Sequence, residues 1–156
     1  SLLVRRYRFN ERKMDCIMIG FFEDSITLVN HYYDTLTRED RFQASILDKC
    51  MWRQSTVRTA NGNILSIATS TNITILYREG YVEPYAYAKL SNDEKQKHFT
   101  LNTDKTDFVF FGEVEEDLST IKSINEAKKK YKWTTIQSVT DCTNVDMLKH
   151  WEVVGQ

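Results

Sequence analysis

At 156 residues the chain fits one domain around one core, and 41% hydrophobic with 28% charged residues excludes a coiled coil, a collagen-like chain and wholesale disorder. A net charge of −1 argues against a surface devoted to nucleic acid, whose phosphates demand concentrated basic charge. Three cysteines, Cys16, Cys50 and Cys142, are too few and too scattered for a disulfide framework and point to a reducing cytoplasm.

Residues 1–24 are expected to form an N-terminal arm that packs on a neighbour, or an extra strand, because Leu2, Leu3, Val4, Ile17, Met18, Ile19, Phe21 and Phe22 are too apolar for a free tail. The longest apolar stretch, Cys16 to Phe22, is about one third of a bilayer span, so no membrane span is expected. Asp15, Glu23 and Asp24 bracket it and no small-residue cleavage site follows, which argues against a signal peptide. The basic residues Arg5, Arg6, Arg8, Arg12 and Lys13 contrast with the acidic Glu113, Glu115, Glu116 and Asp117. The ordinary reading is two solvated segments; the sharper one is a head-to-tail contact between neighbouring subunits.

Residues 25–156 read as one β-barrel-like domain. From Ser25, Ile26 and Leu28 alternate with Thr27 and Val29, and 34–40 supply turn chemistry. Residues 41–53 hold Phe42, Ala44 and Ile46 on one parity, break near Asp48 and resume at Met51 and Trp52, which predicts a long, bent or bulged strand. Residues 54–65 are polar, carry Asn61-Gly62-Asn63 and read as a loop. Residues 70–78 are β-branched, with Ile73, Ile75 and Tyr77 on one face, and Gly80 stops them. Pro84 suits the first position of a helical turn, and Ser91-Asn92-Asp93-Glu94 matches a capping box for a short helix near 91–98. Residues 108–111, apolar on both parities, predict a strand covered on both faces, and Ser123-Ile124-Asn125-Glu126 a second capping box heading a helix through Lys130. Strands over 133–140 and 147–154, the latter with Met147, Trp151 and Val153 on one parity, complete about six strands with one or two short helices. Sixteen threonines and eight tyrosines against one proline and five glycines favour sheet, and strands at this spacing predict a small β-barrel or sandwich.

The chemistry-bearing residues form no catalytic pattern. His31, His98 and His150 sit in no HExxH, HxxxH or CxxC arrangement, so spacing points to no metal site. His98-Phe99-Thr100 has the His-x-Thr form that some phosphoesterases use twice, without a second copy, and otherwise reads as a helix C-terminal histidine. His150 reads as a half-exposed sheet residue. No GxSxG elbow, Walker loop or GxGxxG turn occurs. Asp104 with Asp107, and the 113–117 carboxylates, read as solvated surface rather than an acid–base pair. Cys50 reads as a buried small hydrophobe. The interleaved basic and aromatic residues at 5–9 and 128–133, with Tyr7, Tyr131 and Trp133, have the composition of single-stranded nucleic-acid binders, but in a chain without net basic charge they read as core and interface anchors. No catalytic, cofactor-binding or metal-binding residues are assigned.

Three segments carry a more specific signal: Asp24-Ser25-Ile26-Thr27-Leu28-Val29-Asn30-His31-Tyr32-Tyr33-Asp34, the stretch from Leu90-Ser91-Asn92-Asp93-Glu94 to Phe99-Thr100-Leu101, and the ending Leu148-Lys149-His150-Trp151-Glu152-Val153-Val154-Gly155. Over 24–156 and in this order, the chain resembles a family of small proteins encoded among the head-to-tail connector genes of tailed phages and prophages of Gram-positive bacteria. The resemblance implies a head-closure or stopper subunit of the neck, a small β-barrel with long excursions and no catalytic residues. It implies a homo-oligomeric ring of roughly six or twelve copies built through heterologous contacts, with portal and adaptor proteins above, the tail terminator or tail tube below, and packaged DNA in the channel without sequence specificity. It places the protein in the virion neck, assembled in the bacterial host cytoplasm, with no cofactor and no membrane. Two departures stand out: the family's glycine-aspartate turn before the core strand is here Thr103-Asp104-Lys105-Thr106-Asp107, and residues 1–24 have no counterpart.

Interface and channel candidates follow from the long polar insertions 54–65 and 80–105, which in a small barrel need an external reason. They are Arg53, Arg58 and Asn61 at the first, toward DNA, and Tyr85 and Tyr87 in the second, toward protein, with Glu115 and Glu116 of the acidic cluster as rim charges. An adaptor or tail-terminator subunit of the same neck is the neighbouring alternative, and a small phage nuclease or phosphoesterase using His98 is the enzymatic one.

Overall fold

In the computed structural model, which describes residues 4–8 and 21–156, eight strands join one sheet: β1 (Arg5–Tyr7), β2 (Asp24–Asp34), β3 (Glu39–Asn61), β4 (Ile64–Leu76), β5 (Phe108–Phe111), β6 (Trp133–Thr135), β7 (Ser138–Cys142) and β8 (His150–Gly155). The described helices are α1 (Pro84–Ala88), α2 (Asn92–Lys95) and α3 (Ile121–Lys130). Strand order is β6-β5-β2-β3-β4-β8-β7, antiparallel throughout except that β1 lies parallel along β3. The mostly β fold is as expected. Eight strands replace six because Arg5–Tyr7 adds one and the expected strand over 133–140 is two. Of the N-terminal apolar residues, Phe22 is buried and Phe21 exposed, while Leu2, Leu3, Ile17, Met18 and Ile19, like the basic Arg12 and Lys13 and the thiol of Cys16, lie outside the described residues.

That split strand curls the sheet. β6 and β7 stand at opposite ends of the strand order, yet only Ile136 and Gln137 separate them. One bent segment therefore pairs with β5 through its first half and β8 through its second, drawing the two ends together. At the seam the Gln137 amide donates to Val154 O at 2.8 Å and Thr135 Oγ1 to Gln156 O at 3.2 Å. A Cβ on Gly155 would collide with Thr135 O and Thr134 Oγ1, so the seam requires glycine there. Among the described residues no regular ladder joins β6 to β8, and the sheet is curled rather than closed.

Both faces of the central strands are covered. Inside the curl, Ile26, Leu28, Leu47, Cys50, Ile73, Ile75, Val109, Trp151 and Val153 pack with Ile136 from the bend and with Phe99 and Leu101 from the β4–β5 connection. Outside, Val29, Ala44, Phe108 and Phe110 pack under Ile124 and Ala127 of α3. β5 is thus covered on both faces, as its two-parity pattern predicts. The break near Asp48 is a bulge: the register shifts between Asp24↔Cys50 and Ile26↔Leu47, and Lys49 sits at φ +49°.

Several boundaries differ from expectation. α3 starts one turn early, at Ile121, with Thr120 as N-cap; Thr120 Oγ1 accepts from the Ser123 amide and Ser123 Oγ from the Thr120 amide, each at 3.2 Å. Ser123 closes the capping box and does not open one. Met147 is 80% exposed and precedes β8, because the chain turns through Leu148 at φ +51° before pairing begins at His150. At 103–107, Lys105 takes φ +67°, the conformation glycine would supply, while Asp104 accepts from the Thr106 amide at 3.0 Å. Pro84 opens α1 as expected, and Ser91 caps α2, its Oγ accepting from the Glu94 amide at 3.3 Å, but α2 ends at Lys95, short of the expected 98.

Candidate functional site

The expected loop 54–65 is instead the distal part of a hairpin arm. Seven cross-strand pairs, from Ser55↔Ser70 to Asn61↔Ile64, extend beyond the last residues that have a lateral partner among the described residues, Cys50 toward β2 and Thr71 toward β8. At about 3.3 Å per residue the arm projects roughly 23 Å. Gly62 at φ +64° occupies the first position of its two-residue turn, where a hairpin of this kind needs glycine. Side-chain contacts run along the arm: Gln54 Nε2 donates to Thr71 Oγ1 at 3.4 Å, and the hydroxyls of Ser55 and Ser70 and of Thr56 and Thr69 meet at 3.0 and 3.3 Å. These strand residues lack apolar alternation because they are exposed on both faces.

Register assigns the arm two faces. Thr56, Arg58 and Ala60 with Leu65, Ile67 and Thr69 continue the face that carries Cys50, Trp52, Ile73 and Ile75 inside the body. Ser55, Val57, Thr59 and Asn61 with Ile64, Ser66 and Ala68 form the other. Val57, Ile64, Leu65 and Ile67 are each more than half exposed. From 53 to 72 the only charged side chains are Arg53 and Arg58, so the β4 edge of the arm carries none of the charges that usually guard a bare strand. Arg53 and Asn61 lie on one face and Arg58 on the other, so the three expected DNA-facing residues share the arm but not a face.

The second expected excursion, 80–105, folds back on the body. Phe99 and Leu101 enter the core, and Tyr81 bridges Phe99. Asn30 clamps the segment, donating to Thr100 O at 2.7 Å and accepting from the Thr100 amide at 3.2 Å. Asp107, 1% exposed, accepts from Asn30 Nδ2 at 2.8 Å and the His31 amide at 2.9 Å; burial pushes its carboxyl up to about 6 against these donors. Asp107 is therefore a buried anchor, contrary to its expected surface role. Tyr87 is 3% exposed and cannot meet a partner from where it lies, whereas Tyr85 is exposed and receives Lys89 Nζ on its hydroxyl at 2.7 Å. Glu115 is exposed. Glu116 accepts from Tyr131 Oη at 2.8 Å and pairs with Lys130 at 3.3 Å. Arg6 reaches Glu113 of its own chain at 2.9 Å, so this basic–acidic contact is internal. The Tyr7 ring packs at a tilt against Phe99, and Lys128 lies over the rings of Phe108 and Trp133, which engages these aromatics within the fold.

The catalytic alternatives are poorly served. Burial pushes the Cys50 thiol up to about 12, beside the buried Arg78. His98 lies beyond the end of α2, 3.8 Å from Glu94 of that helix. His31 pairs with Asp40 at 2.8 Å beside an open groove of about 580 Å³, but two of the hydroxyls lining it are committed, Thr106 to Asp104 and Thr120 to the α3 cap. Sequence spacing missed a third cluster: Cys142, His150 and Glu152 offer ligand atoms all within 4.8 Å of one another. Only the β7–β8 register, which pairs Cys142 with His150, assembles it.

The family model DUF6751, described as a family of unknown function, matches residues 21–156. No curated protein and no solved structure matches the chain.

Proposed function

The chain belongs to the DUF6751 family, and we propose that it is a structural subunit that docks its β3–β4 arm on a neighbouring copy in a ring. The observation that carries this reading is the arm itself. An isolated two-stranded hairpin is at best marginally stable in water, and among the described residues no strand pairs with either edge of this one, which also exposes Val57, Ile64, Leu65 and Ile67. A neighbour that added a strand to either edge would satisfy the backbone groups and cover these side chains. Rings close through such heterologous contacts, in which one subunit's projection meets the next subunit's body.

The resemblance over 24–156 takes the proposal further, to the head-closure or stopper ring of a phage neck, between portal or adaptor and tail terminator, with Arg53 and Arg58 available to phosphates. Cryo-EM of connectors purified from particles of a host that encodes the chain tests both levels. The expected result is a symmetric ring beneath the portal with each arm against its neighbour. A ring above or below that position would reassign the subunit to adaptor or terminator, and absence from complete particles would sink the neck reading. Arms that contact nothing in the ring would sink the docking reading itself.

A further inference from the structure

We propose that Cys142, His150 and Glu152 form a binding site for a divalent transition-metal ion of the zinc type, on the strand pair that ends the sheet. Cys142 and His150 are cross-strand partners, and Glu152, two residues beyond His150, shares its face. Their ligand atoms lie within 4.8 Å of one another. Bonds of about 2.0–2.3 Å to a tetrahedral ion would place such atoms about 3.3–3.8 Å apart, a contraction that side-chain rotation supplies.

The histidine gives an independent indication. Its Nδ1 stands 2.6 Å from Leu148 O. A carbonyl only accepts, so Nδ1 carries the hydrogen and the neutral ring presents its Nε2 lone pair. That lone pair faces Glu152 Oε1 at 3.3 Å, so two acceptors confront each other unless a proton or a metal ion lies between them. An imidazole whose other nitrogen is tied to a backbone carbonyl is the usual arrangement of a metal-bound histidine. Leu148 adopts φ +51°, uncommon for a non-glycine residue, at the turn that presents this carbonyl.

The donor set narrows the ion. A thiolate disfavours magnesium and calcium, and one sulfur, one nitrogen and one oxygen suit zinc or cobalt. Thiolate and carboxylate together neutralise a 2+ ion. The Glu152 side chain is 56% exposed, which leaves the outer side open for water as fourth ligand. Bound there, the ion would fasten edge strand β7 to β8.

The test uses the metal-free full chain carrying Cys16→Ser, which removes a second thiol, titrated with Zn²⁺ and with Co²⁺ as a spectroscopic probe. The expected result is one ion per chain, a melting temperature that rises with zinc, and a thiolate-to-cobalt charge-transfer band. Cys142→Ser should abolish the band, and His150→Ala should weaken zinc binding by about tenfold or more. Both positions are only half-buried, and melting of the metal-free variants checks that they fold. Zinc affinity equal in the parent and both variants, or a charge-transfer band that survives Cys142→Ser, overturns the site. A His150 that only takes up a proton, with no saturable zinc binding in the parent, overturns it as well.

Discussion

β3 and β4 are each two strands in one. Their inner parts, Phe42–Trp52 and Thr71–Leu76, sit among neighbours in the sheet, with Leu47, Cys50, Ile73 and Ile75 buried. Their outer parts, 55–61 and 64–70, keep the same antiparallel ladder and similar β-branched chemistry, yet nearly every side chain is exposed. Pairing is therefore not what separates body from arm. The body has lateral strands, α3 on one face and the folded-back 80–107 segment on the other, and among the described residues the arm has none of these. Burial of apolar surface supplies most of a sheet's stability, so the body is expected to carry the folding free energy and the arm to be held as a surface for association.

The widest separation between the two regions should come from truncating the core. Trp151→Ala, at a side chain 1% exposed that contacts the rings of Tyr77, Tyr81 and Phe99, should cost about 3–5 kcal/mol in urea denaturation. A loss below about 1 kcal/mol would mean that the inner cluster does not hold the body together.

Next in size is the anchor of the folded-back segment. Burial raises the Asp107 carboxyl from its ordinary 3.8 to about 6, so between those values the native chain binds a proton that the unfolded chain has released. The stability tied to this group is fully present below about pH 4 and is lost as pH climbs through about 6. Two units correspond to about 3 kcal/mol. Stability measured from pH 4 to 7 should therefore fall more steeply in the parent than in Asp107→Asn, and parallel pH profiles would remove the buried carboxyl from the account.

The body was far more readable from sequence than the arm or the metal cluster. Ile26 and Leu28, the two-parity run 108–111 and the break at Asp48 follow directly from patterns that burial imposes, and each appears as a strand feature. The arm's residues face no core, so no alternation marks them, and the turn dipeptide Gly62-Asn63 is the one local sign of a hairpin. The packing of 80–107 is hidden in the sequence for the opposite reason: its polar residues Thr100 and Asp107 are buried against Asn30, and burial of polar groups leaves no periodic trace. Cys142 and His150 are joined by register alone, and the seam at Gly155 depends on Thr134 and Thr135 some twenty residues away.

That seam gives a smaller, more local test. Gly155→Ala sets a methyl against Thr135 O, a backbone atom that cannot rotate aside, and should cost about 1–3 kcal/mol by overpacking. The loss should appear as faster hydrogen exchange at Gln137, whose amide bonds to Val154 O across the seam. Unchanged protection of that amide would show that the ends of the sheet are not held together there.

The smallest effect on stability should come from the arm. Ile67→Lys replaces a side chain 57% exposed whose cross-strand partner is Arg58. Ile67 belongs to neither core cluster of the described residues, and the added like charge opposite Arg58 costs only a fraction of a kcal/mol in water. Urea denaturation of the monomer should move by at most about 0.5 kcal/mol. Association should respond quite differently, because a lysine that is harmless on a wet arm becomes an unpaired charge once a neighbour covers it. Sedimentation at matched concentrations should show the parent assembling and Ile67→Lys remaining small. If the variant unfolds instead, the arm belongs to the folding core after all. If it assembles like the parent, the face bearing Ile67 lies outside the contact, and the same substitution at Val57 then tests the other face.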